Sequence, residues 1–196
     1  MQYSDEQLVE RFRAGAEEGF RMLVEKYQDR VYHIVYGIVG KKDEADDLSQ
    51  EVFLRVYRFL HRFKGKSKFY TWLYRLTINV CLTAKRKRKN EPSKVLSLAN
   101  SSKYGDDPEP IELADESLSP LKVLQDREMA EMIKSAINSL SEILKSTFVL
   151  REFEELSYEE LARVFQCSRG TIKSRLSRAR EQLRRKIEPY LNHAAQ

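Results

Sequence analysis

No uninterrupted apolar run in this 196-residue chain approaches the roughly 20 residues that a membrane-spanning helix needs. Insertion into a bilayer is therefore not expected. The N-terminus, MQYSDEQLVERF, also lacks the charged-then-apolar order of a secretory signal, which points to a cytoplasmic protein. Cysteine is scarce: Cys81 and Cys167 belong to no CxxC or Cys/His spacing and read as reduced thiols. His33, His61 and His193 are scattered, so no metal and no cofactor is expected. Neither a Gly-rich phosphate loop nor a nucleophile–base spacing occurs, and the chain does not read as an enzyme. Seven glycines and five prolines leave little punctuation among the many Leu, Arg, Glu and Lys, which favours helices throughout.

Charge is what the chain has in quantity, and it is unevenly spread. From His61 to Lys94 there are eleven Lys and Arg against one acid, Glu91. From Val95 to Asp126 seven acids face two lysines, and from Arg163 to Lys186 nine basic residues face Glu181 alone. Two basic blocks around an acidic stretch imply two contacts with a polyanion, joined by a segment that makes neither.

Apolar periodicity divides the chain. Ser4-Asp5-Glu6-Gln7 matches a capping box that starts a first helix, with Leu8, Val9 and Phe12 on one face. A second helix is predicted from about Glu17 to Val39, stopped by Gly40, and a third from about Asp43 to Leu60, burying Ala45, Leu48, Val52, Phe53, Val56 and Tyr57. After the turn-like KGKS, a fourth carries Trp72, Leu73, Leu76 and Val80 inward. The stretch 100–120 collects Ser, Asp, Pro and Gly without apolar period and reads as a flexible linker. Helical period returns through Met129, Ile133, Ala136 and Leu140, then through Leu144, Thr147, Phe148 and Leu150. The fold is all-α, in two helical domains: 1–94, a linker 95–126, and 127–196.

Ser157-Tyr158-Glu159-Glu160 is a second capping box. It opens a short helix to Phe165, followed by the turn Gln166-Cys167-Ser168 and a longer basic helix. Short helix, tight turn and basic helix spell helix-turn-helix. Ile172, Leu176, Leu183 and Ile187 form the inward stripe of the second helix. Ser168, Arg169, Thr171, Lys173, Ser174, Arg175, Ser177 and Arg178 then face largely outward, in residue types that reach base edges and phosphates. A merely solvated helix would carry acids for ion pairing, and 169–180 contains none.

On these residues a resemblance rests. LSYEELARVFQCSRGTIKSRLSRAREQLR (156–184) resembles region 4.2 of the sigma-70 family, which reads the −35 promoter element, and INSLSEILKSTFVLREFEEL resembles region 4.1. Gln166 departs from the glycine frequent at that turn, and Ser168-Arg169 from a common Pro-apolar pair. DEADDLSQEVFLRVYRFLHRFKGKSKFYTWLYRLTINV (43–80) is similar to region 2 of the same family. With no further domain-like core between the two regions, only the linker, the chain resembles the extracytoplasmic-function (ECF) group, and FYTWLYR its sigma-E branch.

The resemblance implies a sigma factor that binds core RNA polymerase at the β′ clamp helices and the β flap, directs promoter-specific initiation, and answers to an anti-sigma factor. Core binding would fall on Asp43, Asp46, Asp47, Gln50, Glu51 and Arg55. The −10 strand would fall on Lys64, Lys66, Ser67, Lys68, Tyr70, Arg75, Asn79, Lys85 and Arg86, and the −35 duplex on the eight outward residues from Ser168 to Arg178. A stand-alone helix-turn-helix regulator would leave 43–80 without a role.

Overall fold

The computed structural model describes residues 3–90 and 120–194, with side chains over 3–88 and 128–190. Among the described residues every regular element is helical. Ser4 starts α1 (Asp5–Arg13) as expected: its Oγ accepts the Gln7 N–H at 3.3 Å, and Gln7 Oε1 accepts the Ser4 N–H at 2.8 Å. α1 lays Leu8 and Val9 on α2 (Glu18–Val39). Gly19 permits the close crossing, since a Cβ there would sit 2.4 Å from the Leu8 carbonyl oxygen. α2 ends at Gly40, whose φ of 78° is the left-handed stop that glycine takes at low cost.

α3 (Lys42–Phe59) packs beside α2, a 3-10 turn (Leu60–Arg62) follows, and α4 (Phe69–Asn90) lies across both helices. Two expectations shift here. Trp72 is half-buried rather than central; Phe63 and Phe69 take the interior, and the indole rests on them with ring centroids 5.4 and 5.9 Å away. Tyr57, expected in the core, is 45% exposed and packs edge-on against Phe12 and Phe20.

The second half comprises α5 (Pro120–Asn138), α6 (Glu142–Glu152), α7 (Tyr158–Phe165) and α8 (Arg169–Ala194). α5 begins inside the span expected for the linker, of which 95–119 lie outside the described residues. α6 is wedged between α2 and α8, so it buries Lys145, Ser146 and Val149 in addition to the expected Leu144, Thr147 and Leu150. One apolar cluster runs without interruption from Leu8, Ile34 and Leu73 to Val149, Leu161, Ile172 and Leu176. At about 1.5–3 kcal/mol for each large aliphatic side chain buried, this shared core holds the two halves together. A second cluster of Ala136, Leu140, Leu144, Ala179 and Leu183 ties α5 and α6 to the middle of α8.

Candidate nucleic-acid and protein interfaces

α7 and α8 are built as the sequence predicts. Ser157 Oγ accepts the Glu160 N–H at 3.2 Å while Glu160 Oε2 accepts the Ser157 N–H at 2.8 Å, fixing the start of α7. The turn is Gln166 to Ser168, and Gln166 adopts φ 52° and ψ 47° as the left-handed cap of α7. Ser168 caps α8, its Oγ accepting the Thr171 N–H at 3.1 Å. Ile172, Leu176, Ala179 and Leu183 turn inward.

That leaves Ser168, Arg169, Lys173, Ser174, Ser177 and Arg178 exposed along one side, with Thr171 half-buried beside them. Arg175 departs from the outward expectation. It is half-buried, its guanidinium 5.6 Å from the Phe165 ring centroid and its Nη1 without a hydrogen-bond partner, because packing against α7 draws it off the open face. Acids missing from 169–180 arrive from other helices: Glu159 pairs with Arg169 at 3.0 Å and Glu152 with Arg180 at 3.1 Å. Lys173 and Arg178, between these pairs, meet no acid among the described residues. The surplus positive charge is thereby concentrated mid-face, where a phosphate backbone would neutralise it.

The second basic region is arranged differently. Lys64, Lys66 and Lys68 are exposed on a loop that turns at Gly65, and Lys68 Nζ lies 5.6 Å from the Tyr70 ring centroid. Arg75 and Asn79, one turn apart on α4, are half-buried and exposed respectively, and Arg86 is exposed with its Nε on the Leu82 carbonyl. Ser67 is half-buried, its Oγ donating to the Lys68 carbonyl. Two expected residues are engaged by the other half of the molecule: the Tyr70 hydroxyl donates to Glu160 Oε1 at 2.5 Å, and Lys85 Nζ to Glu142 Oε1 at 3.1 Å. Tyr74, which sequence reasoning missed, is fully buried and donates to Glu154. Burial, then that hydrogen bond, pushes its phenol far above the usual range.

On α3, Asp43, Asp46, Asp47 and Gln50 are exposed, while Glu51 and Arg55 pair with each other at 2.5 Å. Glu44 does not share this acidic face: it is 8% exposed and bonded to Arg88 at 2.5 Å. Asp46 and Gln50 border a groove of about 700 Å³ between α2 and α3, floored by Phe20, Val24 and Phe53 and flanked by Leu54, Tyr57 and Tyr32. Leu54 is 64% exposed and was not anticipated. Its signal was available, as an apolar residue standing off the buried stripe of its own helix.

A helix-turn-helix with an open basic face, joined to a helical unit bearing a basic loop and an acidic, grooved helix, is the architecture of a DNA-binding protein. The known proteins it is similar to agree. Residues 23–91 match the family model for sigma-70 region 2, and residues 130–183 the model for sigma-70 region 4. The RNA polymerase sigma-H factor of Pseudomonas aeruginosa is 36% identical over 98% of both chains. The ECF RNA polymerase sigma-E factor of Escherichia coli is 35% identical over 97% of both. The chain belongs to the sigma-70 family, in its ECF group of RNA polymerase sigma factors. It is a transcription-initiation factor and not an enzyme.

Solved structures share the fold. CnrH in complex with the cytosolic domain of CnrY aligns with a TM-score of 0.68 at 18% identity, over 95% of this chain and 99% of that one. The sigma factor RpoE of Bartonella quintana, in complex with the anti-sigma factor NepR, aligns with a TM-score of 0.64 at 24% identity, over 86% and 96%.

Proposed function

We propose that this chain docks core RNA polymerase through α3 and carries the enzyme to promoters with its two basic surfaces. Asp43, Asp46, Asp47, Gln50, Glu51 and Arg55 face the β′ clamp helices, and the α2/α3 groove takes apolar side chains from that partner. The C-terminal unit, 127–196, meets the β flap and lays α8 in the major groove of the −35 element. Its backbone start and the cations Arg169, Lys173 and Arg178 hold phosphates; Thr171, Ser174 and Ser177 lie nearer base edges. The N-terminal unit, 1–94, uses Lys64 to Lys68, Tyr70, Arg75, Asn79, Lys85 and Arg86 on the −10 strand. Unstacking a base costs a few kcal/mol, which ring stacking and phosphate contacts there must recover.

An anti-sigma factor is the expected regulator. CnrH and RpoE were each solved with a protein partner, which supports that reading. The site of action is the cytoplasm, and among the described residues no helix is long and apolar enough to cross a membrane.

The observation that carries the proposal is the exposed acidic strip of α3 beside its apolar groove, in the same chain as the helix-turn-helix. Core polymerase titrated with labelled protein tests it. The double substitution Asp47→Ala with Glu51→Ala should weaken core binding while the fold, read by circular dichroism, stays intact. Unchanged core affinity would remove α3 from the interface.

A further inference from the structure

The basic loop at 64–68 is rooted by a helix that stands outside both matched regions. α1 ends at Arg13, before the region 2 match begins at residue 23. Its first turn is fixed to α2, where the Asp5 carboxylate accepts from the Lys26 ammonium and from the Tyr27 hydroxyl, each at 2.6 Å. Leu8 and Val9, each 2% exposed, seat its middle. Its last residue then reaches well beyond its own neighbourhood. Arg13 Nη1 donates to Glu10 Oε1 at 2.6 Å, while Nη2 donates to the Phe63 carbonyl, 50 residues on.

Phe63 is the residue from which the loop leaves the core. Its ring is buried, edge-on to Phe69 and tilted against Trp72 at centroid distances of 5.9 and 5.4 Å. Its N–H closes the 3-10 turn on the Leu60 carbonyl at 3.1 Å. With the Arg13 bond added, the ring, the N–H and the carbonyl of one residue are all held. Lys64, Gly65, Lys66 and Lys68 are exposed beyond it, and Phe69, 2% exposed, pins the far end. Bonding between those two points is local: the Ser67 hydroxyl donates to the neighbouring Lys68 carbonyl. A Cβ added at Gly65 would meet nothing within 4 Å. The direction in which the lysines leave the fold is therefore set at Phe63.

We infer that Arg13 is a positioning residue for promoter opening, fixing the root of the 64–68 loop so that its lysines meet the −10 strand already arranged. Arg13 does this without touching DNA. The inference rests on the −10 reading of that loop. A guanidinium suits the task because its planar fork serves two acceptors at once. The Glu10 carboxylate orients one arm while the Phe63 carbonyl takes the other. A loop that becomes ordered only as it binds loses contact energy to that ordering, whereas one held beforehand applies it to unstacking a base.

Arg13→Met tests the assignment. The Arg13 side chain is 31% exposed and stands outside the apolar core, so the fold, read by circular dichroism, should stay intact. The template is a promoter mapped by sequencing the transcript 5′ ends that full-length wild-type protein and core polymerase produce from genomic DNA. Permanganate reactivity of its thymines reads opening; filter binding on ice, where the duplex stays closed, reads affinity. Arg13→Met should open the promoter about tenfold more slowly, the weight of one hydrogen bond to a charged group. Affinity for the closed duplex and its salt slope should not change. On a template mismatched through the −10 element, where unstacking costs least, the defect should largely disappear. Arg13→Lys, which keeps the charge but not the fork, should open at a rate between the two. Opening at the wild-type rate by Arg13→Met overturns the inference, and so does a defect of equal size on the mismatched template, the mark of a damaged fold. A salt slope lowered by about one in Arg13→Met and restored in Arg13→Lys also overturns it, by making Arg13 a phosphate contact. The triple substitution Lys64→Ala, Lys66→Ala and Lys68→Ala checks the underlying reading. Unchanged opening by that variant overturns the −10 role of the loop itself.

Discussion

The basic face of α8 and the basic face of α4 are similar in composition and opposite in availability. On α8 the packing against α6 and α7 uses one stripe, so Lys173, Ser174, Ser177 and Arg178 stand clear on the other. α4 is gripped from two sides, by α2 and α3 and again by α7, and its polar groups Tyr70, Tyr74 and Lys85 are bonded to carboxylates of the C-terminal half. Charge alone therefore says where DNA could bind, whereas tertiary packing says which surface is ready.

Removing the free cations of α8 should produce the largest effect. Lys173→Ala with Arg178→Ala leaves the core stripe untouched and deletes two exposed charges that no acid among the described residues neutralises. Duplex affinity of the holoenzyme for a −35 site should fall by about 3–6 kcal/mol, taking about 1.5–3 kcal/mol for each charge-assisted phosphate contact. The slope of log affinity against log salt should drop in magnitude by about two, at 0.9 per phosphate neutralised. Binding curves at several salt concentrations read both quantities. An unchanged slope would mean that the open face of α8 is not the one that meets the backbone.

The contact of α6 with the end of α2, where Lys145 Nζ donates to the Ile38 carbonyl and to Asn138 Oδ1, is probed by Lys145→Met. Burial, then the neighbouring Lys85, pushes the Lys145 ammonium down to about 8 from an ordinary 10.5, although it keeps two acceptors and Glu142 pulls the other way. Between those values the unfolded chain holds a proton that the folded protein has released. This group therefore makes stability rise as pH climbs from about 8 to 10.5, and below about 8 the fold bears the whole cost of the buried charge. Methionine, of similar length, carries no charge to bury. At pH 7 it should leave the protein more stable by about 1–3 kcal/mol, a gap that narrows toward pH 10. Denaturant melts across that range measure it. A Met variant less stable at pH 7 would show that bonding the end of α2 outweighs the desolvation of the ammonium.

Most of the fold was legible because its helices follow simple amphipathic rules. Both capping boxes, the Gly40 stop and the turn from Gln166 to Ser168 fall where the residues predict them. The outward face of α8 was legible too, apart from Arg175. What periodicity could not supply was contact between the halves. A stripe reading assigns each helix one buried side, so on α6 and α4, buried on two sides, it does not reach Lys145, Val149 and Tyr74. The burial of Glu44 lies beyond such a reading for a related reason. Its carboxylate belongs by sequence to an acidic run, and only the fold shows Arg88, 44 residues on, drawing it inward.

The smallest predicted effect bears on the geometry that keeps α8 open. Gln166 holds a left-handed conformation, φ 52°, that places its Cβ close to the neighbouring carbonyl and that glycine adopts without this strain. The amide N–H of Gln166 still closes α7 by donating to the Ala162 carbonyl, and the Cys167 N–H reaches the same oxygen at 3.0 Å. Those bonds come from the backbone and survive substitution. Gln166 is exposed, so no packed side chain is lost. Gln166→Gly should therefore stabilise the protein by up to about 1 kcal/mol, reduced by the greater freedom glycine gives the unfolded chain. Affinity for the −35 duplex should stay the same, because the crossing of α7 and α8 is set by Leu161, Ile172 and Leu176. Thermal melts and duplex titrations read the two separately. A stability gain accompanied by weaker DNA binding would show that the glutamine side chain, and not only the turn it occupies, touches the duplex.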